Sequence, residues 1–245
     1  MDLRSLTDPV VAEATGRTHR PDEALPGGGP AGNARLTAWV GLVLLALFAA
    51  ELVTLLDVRG LVSWHVAIGV ALIPPALVKT GTTGWRIVRY YTGHRPYRHA
   101  GPPPMLLRVL GPLVVLTTLG VLATGVLLIA IGAPASRRTL LPVAGNTVDA
   151  TSLHKAAFLL WAGVTGLHVL ARLVPALQMT IARRLGPGGS PRAVGAVPGR
   201  SRRGAAITVT VVAAVMAAVV TLAAVDLSAW HARVVRDRPA RFSQR

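Results

Sequence analysis

The chain contains no cysteine among its 245 residues. It therefore has no disulfide, no thiolate metal site, no iron–sulfur ligand and no cysteine nucleophile. Charged residues are also scarce, at 15%, whereas soluble domains carry about 25%. Hydrophobic residues make up 52% of the chain and the mean hydropathy is +0.52. This composition indicates an integral membrane protein and argues against overall disorder.

Acidic residues are few, with 10 Asp and Glu against 26 Lys and Arg, for a net charge of +16. A basic surplus is one signature of nucleic-acid binding, but no helix-turn-helix or zinc-finger pattern accompanies it here. The basic residues instead concentrate in the segments 79–108 and 183–203, neither of which contains an acid. We therefore expect the lipid bilayer, and no nucleic acid, to be the partner of these charges.

Five apolar stretches indicate membrane-spanning helices, because each approaches the roughly 17–25 residues that a helix needs to cross the hydrocarbon. They cover residues 36–56, 61–78, 109–131, 156–177 and 205–225. The predicted fold class is all-α, a polytopic transmembrane helical bundle of five spans. The predicted organisation is a disordered cytoplasmic tail (1–34), a four-helix transmembrane core (35–180), a basic cytoplasmic loop (181–203), a fifth transmembrane helix (204–231) and a C-terminal tail (232–245).

The charges also predict an orientation. The positive-inside rule places the two basic segments and the N-terminus in the cytoplasm, which leaves the C-terminus outside the cell membrane. The tail after His231 is also basic and disagrees with this assignment. We adopt the orientation that the two basic loops indicate, since two separate segments agree on it.

Histidines carry most of the metal-binding potential in a chain without cysteine, and three of the seven lie on predicted spans: His65, His154 and His168. His154 and His168 are 14 residues apart, so they share one face of the fourth span, about 21 Å apart along its axis. Ionisable residues at membrane depth are costly, and a functional site is the default hypothesis for them. Neutral imidazole is also an axial ligand of haem iron.

His65 and His154 are predicted to form the main site. Each begins a span, and the second and fourth spans run in the same direction, so the two imidazoles are expected at equal depth in the outer leaflet. This arrangement suits two ligands on opposite faces of one haem b. Gly69 lies one turn below His65 and would leave room for a flat macrocycle. Tight helix packing is the alternative interpretation of this and the other span glycines.

The paired histidines and their spacing resemble the membrane-embedded cytochrome b superfamily, over about residues 35–180. That superfamily includes the cytochrome b subunits of respiratory formate dehydrogenases and nickel hydrogenases, and the chain looks most similar to actinobacterial membrane proteins of this type. The resemblance implies a cytochrome b-like four-helix core with two stacked haems. Position 79 would then hold the partner of His168, but the residue there is Lys79. A protonated amine cannot ligate iron, so we expect one haem and interpret Lys79 as a snorkelling cation.

Two hypotheses follow for function. The first is haem-mediated electron transfer by a membrane subunit whose redox partner subunit carries the enzyme chemistry. The second is a haem-free membrane scaffold, sensor or transporter component with buried histidines. A metalloenzyme acting on soluble substrates is disfavoured, because the chain has no His-Glu-x-x-His motif and no acidic cluster. Glu51 and Asp226, which lie in or at the end of apolar runs, are expected to pair with Arg59 or Arg233.

The orientation can be measured with reporter fusions. A reporter joined after Arg245 should behave as external, and one inserted within residues 185–200 should behave as cytoplasmic. The reverse pattern would invert every leaflet assignment made above.

Overall fold

A computed structural model describes residues 29–99, 105–143, 146–180 and 199–231. This part of the chain is mainly helical, and five of its helices are long and apolar enough to cross a membrane. The predicted multi-pass architecture is thus confirmed at this level. The spans, numbered in chain order, are Gly29–Asp57, Val62–Tyr91, Arg108–Ala135, Ala150–Leu170 and Arg200–Ala224.

The secondary-structure elements follow the spans closely. The helices are α1 (Gly29–Thr54), α2 (Val62–Ala71), α3 (Ile73–Tyr91), α4 (Arg95–His99), α5 (Met105–Ala135), α6 (Ala150–Thr180), α7 (Arg200–Ala224) and α8 (Ser228–His231), with a 3-10 turn at Leu55–Asp57. The strands are β1 (Thr139–Val143) and β2 (Asn146–Asp149).

Several helix boundaries differ from the predicted ones. Span 1 begins at Gly29, within the segment expected to be a tail, and span 5 begins at Arg200, within the expected loop. Span 2 continues to Tyr91, so the first part of the expected cytoplasmic loop is helical. The remainder of the predicted tails and of the second basic loop lies outside the described residues.

Span 2 consists of two helices, α2 and α3, which meet at Leu72. Pro74 and Pro75 follow immediately, and neither can donate the backbone hydrogen bond that a continuous helix requires. The two parts pack against different neighbours: α2 lies mainly against span 5, whereas α3 lies mainly against span 1. Spans 3 and 4 pack along one another, and span 4 also contacts span 1.

A short antiparallel hairpin joins spans 3 and 4, which corrects the all-α expectation for this connection. It pairs Thr139 with Asp149 and Val143 with Asn146. Gly132 adopts a φ of 73°, which is accessible to glycine and breaks the helical path of α5 just before the hairpin. Strand β2 leads directly into α6, so the hairpin positions the start of span 4.

Within the described residues, the buried interior lies mainly where spans 1 and 2 meet. Val40, Leu44, Leu72 and Ala76 form its buried cluster. On span 4, Trp161 is buried and its ring centroid lies 4.6 Å from that of Phe48 on span 1. Many other large apolar side chains are exposed, as expected for a surface that faces lipid.

Trp161 also joins span 4 to span 3, because its Nε1 donates a hydrogen bond to Thr118 Oγ1 at 3.1 Å. Because lipid is as apolar as the protein interior, moving the Trp161 side chain from lipid into the bundle gains little free energy. Trp161 therefore stabilises the bundle through its packing contacts and this hydrogen bond. We expect Trp161→Ala to lower the unfolding free energy in detergent by about 2 kcal/mol. Thermal unfolding would measure the change.

Leu160→Ala is the matched control, since Leu160 neighbours Trp161 and is 62% exposed. Its effect should stay within about 0.5 kcal/mol. Equal losses in the two variants would contradict the packing described here.

Candidate functional site

The structure brings His65 and His154 together. Their ring centroids are 6.3 Å apart and their ring planes are nearly perpendicular, at 81°. His65 lies in the first turn of α2, and His154 lies in the second turn of α6. Both side chains are partly buried. The proximity expected from equal depth is therefore present, whereas iron ligation itself stays a prediction.

His65 contacts two oxygen atoms from the end of span 1. Its Nδ1 lies 2.9 Å from Glu51 Oε1 and 3.0 Å from Thr54 Oγ1. Glu51 is well shielded, with 17% of its side chain exposed. Asp57 stabilises the tight turn between spans 1 and 2, since its carboxylate accepts a hydrogen bond from the Gly60 N–H at 3.0 Å. This short connection brings the end of span 1 beside the first turn of span 2.

His154 makes an equivalent contact with span 3. Its Nδ1 lies 2.9 Å from Thr124 Oγ1. A Cβ added at Gly125 would lie 3.3 Å from His154 Cε1. The absence of a side chain at Gly125 therefore lets the imidazole pack closely against span 3.

The threonine hydroxyls beside the histidines also reach backbone carbonyls. A hydroxyl has one proton to donate. Thr54 Oγ1 lies 2.6 Å from the Glu51 carbonyl, and Thr124 Oγ1 lies 2.9 Å from the Gly120 carbonyl. When the hydroxyl protons go to these carbonyls, each Oγ1 accepts from a histidine Nδ1–H. That tautomer leaves the lone pair of a neutral ring on Nε2.

Glu51 and Gly69 have roles that the sequence analysis assigned differently. Glu51 was expected to pair with Arg59, but its carboxylate contacts His65 instead. A Cβ at Gly69 would lie 3.6 Å from Glu51 Oε1, so this glycine borders the carboxylate contact. The sequence signal for Glu51 was its position as the acid within the first apolar run.

His168 and Lys79 lie away from this pair. His168 is 14 residues beyond His154 on α6, which places it about 21 Å along the axis. Lys79 Nζ donates a hydrogen bond to the Thr37 carbonyl at 3.3 Å and lies 2.8 Å from the position that a Cβ would take at Gly41. The amine thus reaches the backbone of span 1, and the interpretation of Lys79 as a snorkelling cation stays a prediction.

An apolar cleft lies between spans 2 and 3 and has a volume of about 390 Å³. On span 3 its lining residues are spaced as one helix face, which differs from the face of Thr124 and Gly125 that contacts His154. The lining residues are Ile73, Ala76, Leu77, Leu119, Leu122, Ala123 and Val126. Flat apolar groups are suited to such surroundings, and no charged side chain lines the cleft.

Two imidazoles from different spans are a suitable donor set for haem iron. Among the described residues, no group of three or more His, Asp and Glu side chains could hold a metal. Haem iron can take its protein ligands from two histidines. The ring centroids of His65 and His154 lie 6.3 Å apart, so the two rings are near neighbours that could both hold one such group.

Asp149 fixes the beginning of the helix that carries His154. Its Oδ1 accepts a hydrogen bond from the Ser152 N–H at 2.6 Å, and Ser152 Oγ accepts one from the Asp149 N–H at 2.9 Å. This reciprocal pair is a capping box. The bond from the Ser152 backbone N–H, with a further bond from its hydroxyl, holds the pKa of Asp149 below its usual range.

Comparison of the chain with protein families, curated proteins and solved structures finds no match. The function proposed below therefore rests on the contacts of the site itself.

The Asp149 cap should produce a pH-dependent stability. Because folding lowers this pKa, the cap contributes fully above the unfolded value of about 3.9 and is lost as the pH falls through the folded value. Asparagine also caps helices but does not titrate. Tm measured in detergent between about pH 6 and pH 3 should therefore fall less steeply for Asp149→Asn than for the wild type. Parallel curves would show that the cap is not coupled to folding.

Proposed function

We propose that this protein is a b-type cytochrome-like integral membrane protein that binds one haem b through His65 and His154. The observation that carries the proposal is the pair of imidazoles with centroids 6.3 Å apart, each held at Nδ1 by an acceptor. This arrangement would leave both Nε2 atoms available to hold the haem iron. Bound haem b would supply reversible one-electron transfer at this position.

The side chains of the site suit a redox centre, because their positions are restricted before any ligand binds. Thr54 and Glu51 orient His65, while Thr124 and the unsubstituted backbone of Gly125 orient His154. Each ring is held by contacts with a neighbouring span, so a rotation of either ring would break these contacts. Ligands held in advance require little reorganisation during electron transfer.

The remaining assignments extend this proposal. The protein would lie in the cell membrane with its N-terminus in the cytoplasm, its C-terminus outside and its first four spans forming the cytochrome b-like core. Electrons would pass to or from a redox partner subunit that performs the enzymatic reaction. His168 would then be a residue of the bundle interior without a second haem, since Lys79 occupies the matching position and packs against span 1.

One contact favours the haem-free alternative. Glu51 Oε1 lies 2.9 Å from His65 Nδ1, and among the described groups no hydrogen-bond partner reaches the buried Glu51 Oε2. A shielded acid beside an imidazole at membrane depth is typical of proton-coupled transporters. In that case the site would exchange protons and the purified protein would be colourless.

The reduced-minus-oxidised absorption spectrum distinguishes these functions. Protein purified from haem-replete cells should show a bis-histidine b-type spectrum with one haem per chain. His65→Ala and His154→Ala should each abolish it, because the loss of one axial ligand changes the coordination of the iron. A colourless wild-type protein would rule out the cytochrome function.

Three further variants serve as controls. His94→Ala and His231→Ala should keep the spectrum, since neither residue is part of the pair. Lys79→Arg should also keep the haem content, because the cation contacts the backbone of span 1. Two haems per chain, or a loss of haem in Lys79→Arg, would contradict the single-haem assignment.

A further inference from the structure

We propose that Glu51 is a positioning residue that tunes His65 electronically and lowers the reduction potential of the haem. This inference rests on the proposed function and deepens it. It concerns a residue that carries no ligand atom and that belongs to a different span from either imidazole.

The first support is the geometry of the contact. Glu51 Oε1 and Thr54 Oγ1 both lie within 3.0 Å of His65 Nδ1. The hydroxyl proton of Thr54 is already directed to the Glu51 carbonyl, so both oxygen atoms accept from the same Nδ1–H. The ring is thereby held with Nε2 directed away from span 1 and with its proton on the Glu51 side.

The second support is the difference between the two ligands. His154 has a neutral hydroxyl at its Nδ1, whereas His65 has a carboxylate. A carboxylate that accepts from the outer N–H of a ligating histidine raises the basicity of that ligand. A more basic ligand stabilises the oxidised iron, which carries the greater positive charge. Glu51 should therefore favour the ferric state, and Thr124 should have a weaker effect on the other ligand.

The third support is the shielding of the carboxylate. Its side chain is 17% exposed, and a charge in such surroundings is screened less than one in water. Gly69 contributes to the close approach, since a Cβ there would lie 3.6 Å from Oε1. The carboxylate is thus placed to act on His65 directly.

The test is a redox titration of Glu51→Gln. Glutamine keeps an acceptor oxygen for His65 and removes the negative charge. At a fixed applied potential, the ratio of reduced to oxidised haem should rise about tenfold over the wild type, which corresponds to about 59 mV for a one-electron couple. The bis-histidine spectrum should persist, because both ligands remain. An unchanged midpoint potential would overturn the inference.

Asp57→Asn is the matched control. It removes one negative charge from the same end of span 1, and asparagine can still accept the hydrogen bond from Gly60 N–H. Its ratio should change by less than about twofold, because an exposed charge is strongly screened. Equal shifts in the two variants would show a general charge effect and overturn the positioning role.

Two further outcomes are informative. If Glu51→Gln does not retain haem, Glu51→Asp is measured in its place. The shorter acid withdraws its oxygen from His65, so a smaller rise in the midpoint potential is expected and would support the inference. An unchanged midpoint potential would overturn it. A colourless wild-type protein would defeat the proposed function itself. A coloured wild-type protein with unshifted variants would defeat this inference alone.

Discussion

The hydrocarbon interior of a bilayer offers no hydrogen-bond partner, so polar side chains within a span must find one in the protein. Several threonines of this bundle meet that requirement locally, whereas the buried Thr165 Oγ1 has no hydrogen-bond partner among the described groups. Thr117, Thr124 and Thr210 each donate to a carbonyl one turn earlier on the same helix. Their oxygen atoms then remain available only as acceptors. The orientation of His154, and through Thr54 that of His65, depends on this property.

Charge is distributed unevenly along the bundle. Within the described residues the acids are Glu51, Asp57, Asp149 and Asp226, and all lie toward the end that holds the histidine pair. The opposite end carries basic residues from spans 2 and 5, among them Arg89 and Arg203. The candidate site therefore lies at the end of the molecule with the more negative electrostatic surroundings.

The sequence predicted the proximity of the two histidines better than the contacts around them. His65 and His154 could be placed together because helix direction and depth follow from the order of the spans. Glu51 was visible as an unusual acid, but its partner depends on how spans 1 and 2 rotate about their axes, and both spans are apolar on all sides. The hairpin at residues 139–149 was too short to give a periodic pattern. The continuation of span 2 to Tyr91 was missed because basic and aromatic residues there interrupt the apolar run.

The break in span 2 has a mechanical consequence. Pro74 and Pro75 divide the span into α2, which carries His65, and α3, which carries Lys79. Helix α2 packs mainly on span 5, and α3 packs mainly on span 1. Span 5 supplies no candidate ligand, yet it is the main support of the helix that holds one side of the histidine pair.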